Sequence, residues 1–538
     1  MYYTKIGICE RYVMNKDFHG FINPARYPSQ YMSSQRVETS RLQDEFPDPE
    51  TADNVVYNPT FDELREFAKH DETTTEYGSP SYVSAQKSRS ADQTKNLVDH
   101  DFDDEDWDAI ETALDGVDGY EFVCLDRIVG RHPDTSYVCR LFVPKEFSRI
   151  ALSWAKLLEP AQGEPDFQTL QLPDWDTEDG QRRRIRILPE EGLTFVLGSD
   201  YTGEAKKSFL RLYMYRAKQQ GGLGLHAGSK RVHIEDDGGD LNTVGQAFLG
   251  LSATGKSTLT GHGCWLDEPE GAEMLQDDVC AMLPDGQITG SEGNGLYIKT
   301  DGLDRDEQPA LYDAATHESA VYENVSVFED GTVDFDDTEL TTNGRAVILR
   351  EYLDSAAEDI DLKEVDQIFF ITRNPTMPAI ARLSNEQAAA AFMLGESIQT
   401  SAGDPDAAGE SIRVVGTNPF IIGPEGEEGN RFYDLIDAND VETYVINTGY
   451  VGSPDADIGV EDSVNILVGA ARGEIEWTHD DRLRMDIPET VPGVDVEEFY
   501  PPNQFDDYET EIDAMRAERR EYLDQFETLS EDIKDAVY

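Results

Sequence analysis

The feature that most restricts what this chain can fold into is Gly250-Leu251-Ser252-Ala253-Thr254-Gly255-Lys256-Ser257, continued by Thr258. It fits the pattern G-x-x-x-x-G-K-[S/T]. In such a loop backbone N–H groups close around phosphate oxygens, the lysine reaches the β- and γ-phosphates, and the hydroxyl ligates Mg²⁺. The chemistry needs a strand to deliver the chain into the loop and a helix to carry it away. Val244–Leu249 is an apolar, strand-like run, and a helix-compatible stretch follows Ser257. The pattern therefore predicts nucleotide binding on an α/β scaffold, without specifying the reaction.

Strand and helix patterns alternate elsewhere too. The runs FVCLDRIVG from Phe122, SYVCRLFVP from Ser136 and LTFVLGS from Leu193 read as strands, as do Ala346–Leu349 and Gln367–Thr372. Thr202–Lys218 reads as a helix with Thr202 as N-cap and Gly221 past its end. Tyr508–Leu529 reads as an amphipathic helix, and Thr73–Val98 and Asp99–Asp108 as loops, the latter a solvated acidic face. The pattern predicts an α/β fold of two lobes with mixed sheets, the C-terminal lobe carrying the phosphate-binding loop. The expected divisions are an extension over 1–50, a substrate-side lobe over 51–221 and a nucleotide-binding lobe over 222–538.

Charge limits the partners. The 538 residues carry 109 Asp and Glu against 45 Lys and Arg, a formal net charge of -64. The acids are spread along the chain, and 24 Tyr and 23 Phe argue for a packed core. In dilute salt such charge would repel itself. At ~1 M salt, where the Debye length is about 3 Å, it would not, so a halophilic cytoplasmic protein is expected. Nucleic acid and anionic membranes are excluded as partners by the same charge. The sequence shows no signal peptide and no apolar run of membrane-spanning length. The five cysteines, Cys9, Cys124, Cys139, Cys264 and Cys280, have no metal or disulfide spacing, consistent with reduced thiols.

In so acidic a chain any anionic ligand must be met by a local positive cluster, so clustered basic residues are informative. Lys206 and Lys207 stand together in the first turns of the predicted helix, where its dipole disfavours cations. His226 follows that helix. Asp277 and Asp278 lie about 20 residues beyond Lys256, where an Asp can hold a nucleotide's metal.

The order of these motifs resembles ATP-type phosphoenolpyruvate carboxykinases. The family's Y-x-G-E-x-K-K corresponds to Tyr201–Lys207, M-H-C-S-A-N to Leu225–Ser229, G-L-S-G-T-G-K-T-T to Gly250–Thr258, and G-D-D to Gln276–Asp278. F-E-G-G is approximated by Ser291–Gly295, N-T-R by Asn343-Gly344-Arg345, and the R-S-P substrate loop by Arg89-Ser90. Glu323–Asp337, Ala381–Ser384 and Ile446–Gly449 match further landmarks, so the likeness runs over roughly residues 80–530.

The resemblance implies decarboxylation of oxaloacetate and phosphorylation of the resulting enolate by ATP, a step of gluconeogenesis. It implies Mn²⁺ held by Lys207, His226 and Asp278, and a nucleotide-bound Mg²⁺ on Ser257. Lys206 would stabilise the enolate, Arg345 would bridge γ-phosphate and substrate, and Arg89 would grip a carboxylate with Tyr201 beside the leaving CO₂. The nucleotide would lie against Gly250–Thr258, Arg345 and Ser463. A neutral lysine ligand requires a depressed pKa, which the adjacent Lys206 and burial would supply.

The chain also departs from the family. Val279-Cys280-Ala281-Met282 replaces E-H-G-W, Gln308 stands at a ribose-contacting Glu with Glu307 beside it, and Asp455-Ala456-Asp457-Ile458 replaces the basic segment near adenine. The competing expectations are a small-molecule or protein kinase without decarboxylation, and a nucleotide sensor that has lost catalysis. The oligomeric state is left open, a monomer included.

Overall fold

The computed structural model describes residues 39, 41–175, 183–236, 238–251, 254–306, 308–398 and 411–538. Residues 1–45 and 46–538 form two units. In the first, the described part is the short 3₁₀-helix Leu42–Glu45. Most of the proposed 1–50 extension, with Cys9, lies outside the described residues. Everything below concerns residues 46–538.

Among the described residues, twelve α-helices and several mixed sheets make this an α/β protein, as the alternating patterns predict. An eight-stranded sheet is built from residues 55–197, with Phe167–Leu172 at its centre, parallel to Tyr137–Pro144 on one side and to Leu193–Leu197 on the other. Every residue of Phe167–Leu172, Arg184–Leu188 and Leu193–Leu197 is buried. Strands covered on both faces read as continuous apolar runs, which is why LTFVL shows no alternation. The helix Thr202–Gln219 packs on this sheet through Ala205, Phe209, Leu212 and Tyr213. The ring of Phe209 stacks on Trp154 at 4.9 Å. Its N-cap is Tyr201 and not the predicted Thr202, whose N–H is taken by Glu323 Oε1 at 3.0 Å.

A second eight-stranded sheet carries the phosphate-loop motif. Its strands Leu241–Leu249, Gln367–Thr372 and Glu442–Asn447 run parallel. Ligands gather beyond the carboxyl ends of such strands, and the chain leaves Leu249 into Gly250 there. The three ends are tied together: Thr448 N donates to Thr372 O at 3.0 Å, and Thr448 Oγ1 donates to Thr254 O at 2.7 Å. A Cβ on Gly250 would lie 2.6 Å from Thr254 Oγ1, and Gly255 has φ +91, so both positions call for glycine. The short helix Lys256–Gly261 follows.

A five-stranded sheet joins early and late chain. Pro80–Tyr82 pairs in parallel with Val321–Glu323, which pairs with Arg345–Leu349 and through it with Gly295–Lys299. The loop expected over Thr73–Val98 thus contains strands Thr73–Thr74, Pro80–Tyr82 and Thr94–Asn96, all too short to signal in sequence.

The acidic stretch is also corrected. Asp103 caps a helix, Asp104–Asp115, whose acidic first turn suits the dipole. Asp106, far from being a solvated face, is buried against Arg186, Arg184 and Lys95. The C-terminal helix ends at Leu523 instead of 529; Leu529 joins the same core from a turn. Among the described residues no helix is long and apolar enough to cross a membrane, and Cys124, Cys139, Cys264 and Cys280 are free.

Candidate active site

Helical spacing places Lys206 and Lys207 on different faces of the Thr202 helix, and Asp278 receives both. Lys207 Nζ donates to Asp278 Oδ2 at 2.5 Å, and Lys206 Nζ lies 2.9 Å from the same oxygen and 2.8 Å from Glu292 Oε2. The environments drive the two amines apart. Burial would lower the pKa of Lys206, but Asp278 and Glu292 outweigh it and raise the value, so its charge is locked. Burial and the neighbouring Lys206 push Lys207 down to about 8 despite Asp278. Asp278 is partly buried, which would raise its pKa, yet the two lysines hold its carboxyl well below the usual range. The prediction that Lys206 depresses Lys207 thus agrees with the geometry, burial being the larger cause.

His226 closes the cluster. Its Nδ1 is 2.6 Å from the carbonyl oxygen of Thr417, which can only accept, so Nδ1 carries the proton. Burial, together with Lys256 and Lys207, pushes the imidazole down to about 4, so the ring is neutral at pH 7. Its Nε2 lone pair then faces Asp278 Oδ1, another acceptor, at 2.9 Å. Two acceptors directed at each other, beside a lysine that deprotonates easily, make a nitrogen–nitrogen–oxygen donor set suited to a divalent cation such as Mn²⁺. Among the described residues no group of three or more His, Cys, Asp and Glu gathers, so a cation held here would take Lys207 as its third donor.

On the far side of Lys206, Tyr297 carries the Lys206 ammonium 5.6 Å and the Arg345 guanidinium 5.4 Å from its ring centroid. Its hydroxyl is tied to Glu323 Oε2. Arg345 donates from Nε and Nη2 to Asn343 Oδ1 at 3.1 and 2.7 Å, and Asn343 Nδ2 donates to the hydroxyl of Tyr201 at 3.1 Å. Arg345 forms no ion pair among the described residues.

Arg89 rides on a segment pinned to the Thr202 helix. Ser90 N donates to Glu204 Oε1 at 2.5 Å, and Ala85 N and Gln86 N donate to Asp200 at 2.7 and 2.9 Å. The Arg89 guanidinium is exposed and lies 5.3 Å from the Phe420 ring centroid, while Lys207 Nζ lies 4.6 Å from the same centroid. The edge of His226 meets that ring at 6.1 Å. One aromatic side chain therefore links Arg89 to Lys207 and His226.

In the phosphate-loop motif, Lys256 Nζ is buried without a hydrogen-bond partner, as is Asp277 Oδ1. Ser257 is exposed, and Thr258 Oγ1 accepts from Gln308 Nε2 at 3.5 Å. Leu251 O accepts from Thr254 Oγ1 at 2.8 Å. Ser252, Ala253 and Glu307 lie outside the described residues. Ser463 is buried in the helix Val460–Arg472 with its hydroxyl on Gly459 O at 3.1 Å, and among the described residues no hydrogen bond joins it to those above. The sequence did not flag Thr417, Phe420 or Tyr297, and gave Glu323 no role beyond opening the Glu323–Asp337 landmark. A backbone carbonyl carries no side-chain signal, and the other three reveal their roles only through spatial neighbours.

Cations without carboxylate partners among the described residues, beside a Lys–His–Asp donor set on an α/β scaffold, suit an enzyme that works on anionic substrates. A sequence model of the phosphoenolpyruvate carboxykinase family matches residues 53–497. A phosphoenolpyruvate carboxykinase (ATP) from Aeropyrum pernix is 35% identical over 491 residues, covering 89% of this chain and 96% of that protein. One from Alkaliphilus oremlandii is 28% identical over 78% of this chain and 81% of its own. Another, from Salinibacter ruber, is 30% identical over 63% of each. The chain belongs to the phosphoenolpyruvate carboxykinase family, whose ATP-dependent type these relatives represent. Loss of a carboxyl group coupled to phosphoryl transfer is accordingly its chemistry, and neither a plain kinase nor a nucleotide sensor is favoured.

Proposed function

We propose that the site converts oxaloacetate and ATP to phosphoenolpyruvate, CO₂ and ADP, with substrate bound on the 51–221 side and nucleotide on the 222–538 side. The observation that carries this reading is that, in a chain with 109 acidic residues, Arg89, Lys256 and Arg345 have no carboxylate partner among the described residues. Such cations are kept free for ligand anions.

In this reading Arg89 grips a carboxylate of oxaloacetate through its planar fork, and Tyr201 borders the carboxyl group that leaves. As the C–C bond breaks, its electron pair moves toward the ketone oxygen. Lys206, held cationic between Asp278 and Glu292, supplies charge where that oxygen becomes negative. The enolate oxygen attacks the γ-phosphorus and the bond to ADP breaks. Arg345 and Lys256 balance the charge of the phosphoryl group in flight. The loop from Gly250 to Thr258 cradles the phosphates. Mn²⁺ on Lys207, His226 and Asp278, and Mg²⁺ on Ser257 with the nucleotide, would supply positive charge that polarises oxygen atoms of the substrates. Ser463 would border the nucleoside. High salt is proposed as the working medium.

CO₂ release from oxaloacetate in molar KCl, with and without ATP and Mn²⁺, tests the proposal. Release that requires both supports it. Phosphoryl transfer from ATP without stoichiometric CO₂ would replace it with a kinase.

A further inference from the structure

Arg211 is two turns along the Thr202 helix from Glu204, so Glu204, Lys207 and Arg211 (i, i+3, i+7) share one stripe. The residue is 3% exposed, yet no oxygen among the described residues accepts a hydrogen bond from its guanidinium, and Nη1 is fully buried without a partner. Glu204 acts on it only at a distance, with no ion pair between them: Glu204 Oε1 accepts from Ser90 N, and Glu204 Oε2 is itself buried without a hydrogen-bond partner. An uncompensated buried guanidinium is costly, and natural proteins pair it. The Arg211 guanidinium lies 5.2 Å from the centroid of Phe420, the ring that also carries Arg89 at 5.3 Å and Lys207 at 4.6 Å. Stacking on an aromatic face satisfies the charge in part but none of the five N–H donors.

We propose that Arg211 is a second substrate-binding cation, completing with Arg89 a carboxylate subsite over Phe420 that takes small dicarboxylates. This rests on the reading that the site binds oxaloacetate. Arg89, exposed at the mouth, captures the anion, and Arg211, buried behind it, supplies donors that only a bound carboxylate satisfies. The subsite thereby discriminates dianionic substrates from singly charged ones, since an unfilled Nη1 penalises any ligand that leaves it unpaired.

Malonate, a non-reacting dicarboxylate, serves as probe by calorimetry in molar KCl, alongside kinetics with oxaloacetate. Wild type should bind malonate more tightly than acetate. Arg211→Gln should weaken malonate binding and raise KM for oxaloacetate at least tenfold, the loss expected for a hydrogen bond to a charged group. Its kcat should stay within a few-fold and its KM for ATP within twofold, and Arg211→Lys should recover part of the loss. Unchanged malonate affinity and oxaloacetate KM in a folded Arg211→Gln protein would overturn the proposal, leaving Arg211 a structural cation. If that variant does not fold, Arg211→Lys decides: malonate affinity and KM equal to wild type overturn it. A variant that loses only the stabilisation by KCl would mark a chloride site and overturn it too. Failure of wild type to release CO₂ would sink the carboxykinase reaction alone, because malonate binding is read without turnover.

Discussion

His226 turns Nε2 toward Oδ1 of Asp278 at 2.9 Å while its Nδ1–H is held by the Thr417 carbonyl at 2.6 Å. The backbone carbonyl thus chooses the tautomer and leaves a lone pair pointing at a carboxylate. Replacing His226 with Ala should weaken Mn²⁺ binding at least tenfold, on the scale of losing an orienting or ligating group. ATP·Mg²⁺ binding should be largely retained, since the phosphate loop is a separate element. Titration of Mn²⁺ into both proteins checks this, and equal affinities would remove His226 from the metal set.

Arg345 spends two N–H donors on the single oxygen of Asn343 and lies over Tyr297, which fixes the plane of its fork. Lysine keeps the charge but cannot hold that plane. Arg345→Lys should lose at least ~10²-fold in kcat, comparable to removing one oxyanion donor, with little change in nucleotide affinity. Turnover within a few-fold of wild type would rule out a bridging role.

Glu396 offers a pH-dependent test remote from the chemistry. Its Oε2 is 2.9 Å from Arg519 Nε and 3.4 Å from Arg413 Nη2, and Asn374 Nδ2 donates to Oε1 at 2.7 Å. Burial would raise its pKa, but Arg519 and Arg413 outweigh it and bring it from 4.5 to about 2. A depressed carboxylate stabilises the fold fully above its unfolded pKa, and this is lost as pH falls from about 4.5 toward 2. The shift corresponds to about 3 kcal/mol. Glu396→Gln should destabilise by about 3–5 kcal/mol at pH 7, by leaving the buried Arg519 guanidinium uncompensated, while Arg413 keeps Glu518 Oε1 at 2.8 Å. The gap from wild type should narrow between pH 4.5 and 2. Denaturant unfolding at a series of pH values reads both, and a gap independent of pH would show that the pair contributes no linkage.

Salt dependence follows from the net charge of -64. Screening at molar KCl cuts the Debye length to about 3 Å from about 10 Å at 0.1 M. The unfolding temperature should therefore climb steeply between those concentrations, and a flat profile would sink the halophilic assignment.

Nucleotide selectivity should be modest. Asp455-Ala456-Asp457 stands where the resemblance in sequence implies a basic segment near adenine, and neither aspartate would stack on a base or approach phosphate favourably. Affinity then rests on phosphate contacts. ATP should be preferred to GTP or ITP by about tenfold or less in kcat/KM, since base contacts are worth about 1–3 kcal/mol each. A preference above a thousandfold would reveal an adenine pocket built from other residues.

Much of the site was legible in the linear order of residues. Glycine positions, adjacent lysines and buried strand runs each impose a local requirement that a residue type announces by itself. Gly250 and Gly255 sit where a Cβ or a negative φ would fail, and LTFVL reads as a strand covered on both faces. What tertiary structure alone decided was pairing across sequence distance. Asp106 looked like one more solvated acid until Arg184, Arg186 and Lys95 surrounded it. Lys207, His226 and Asp278 each had an ordinary structural alternative, and only their convergence under Thr417 and Phe420 separates their protonation states. Arg211 was silent in the sequence for the same reason. A guanidinium's meaning lies in which partners it lacks, and a missing partner is a property of the folded neighbourhood that no local pattern encodes.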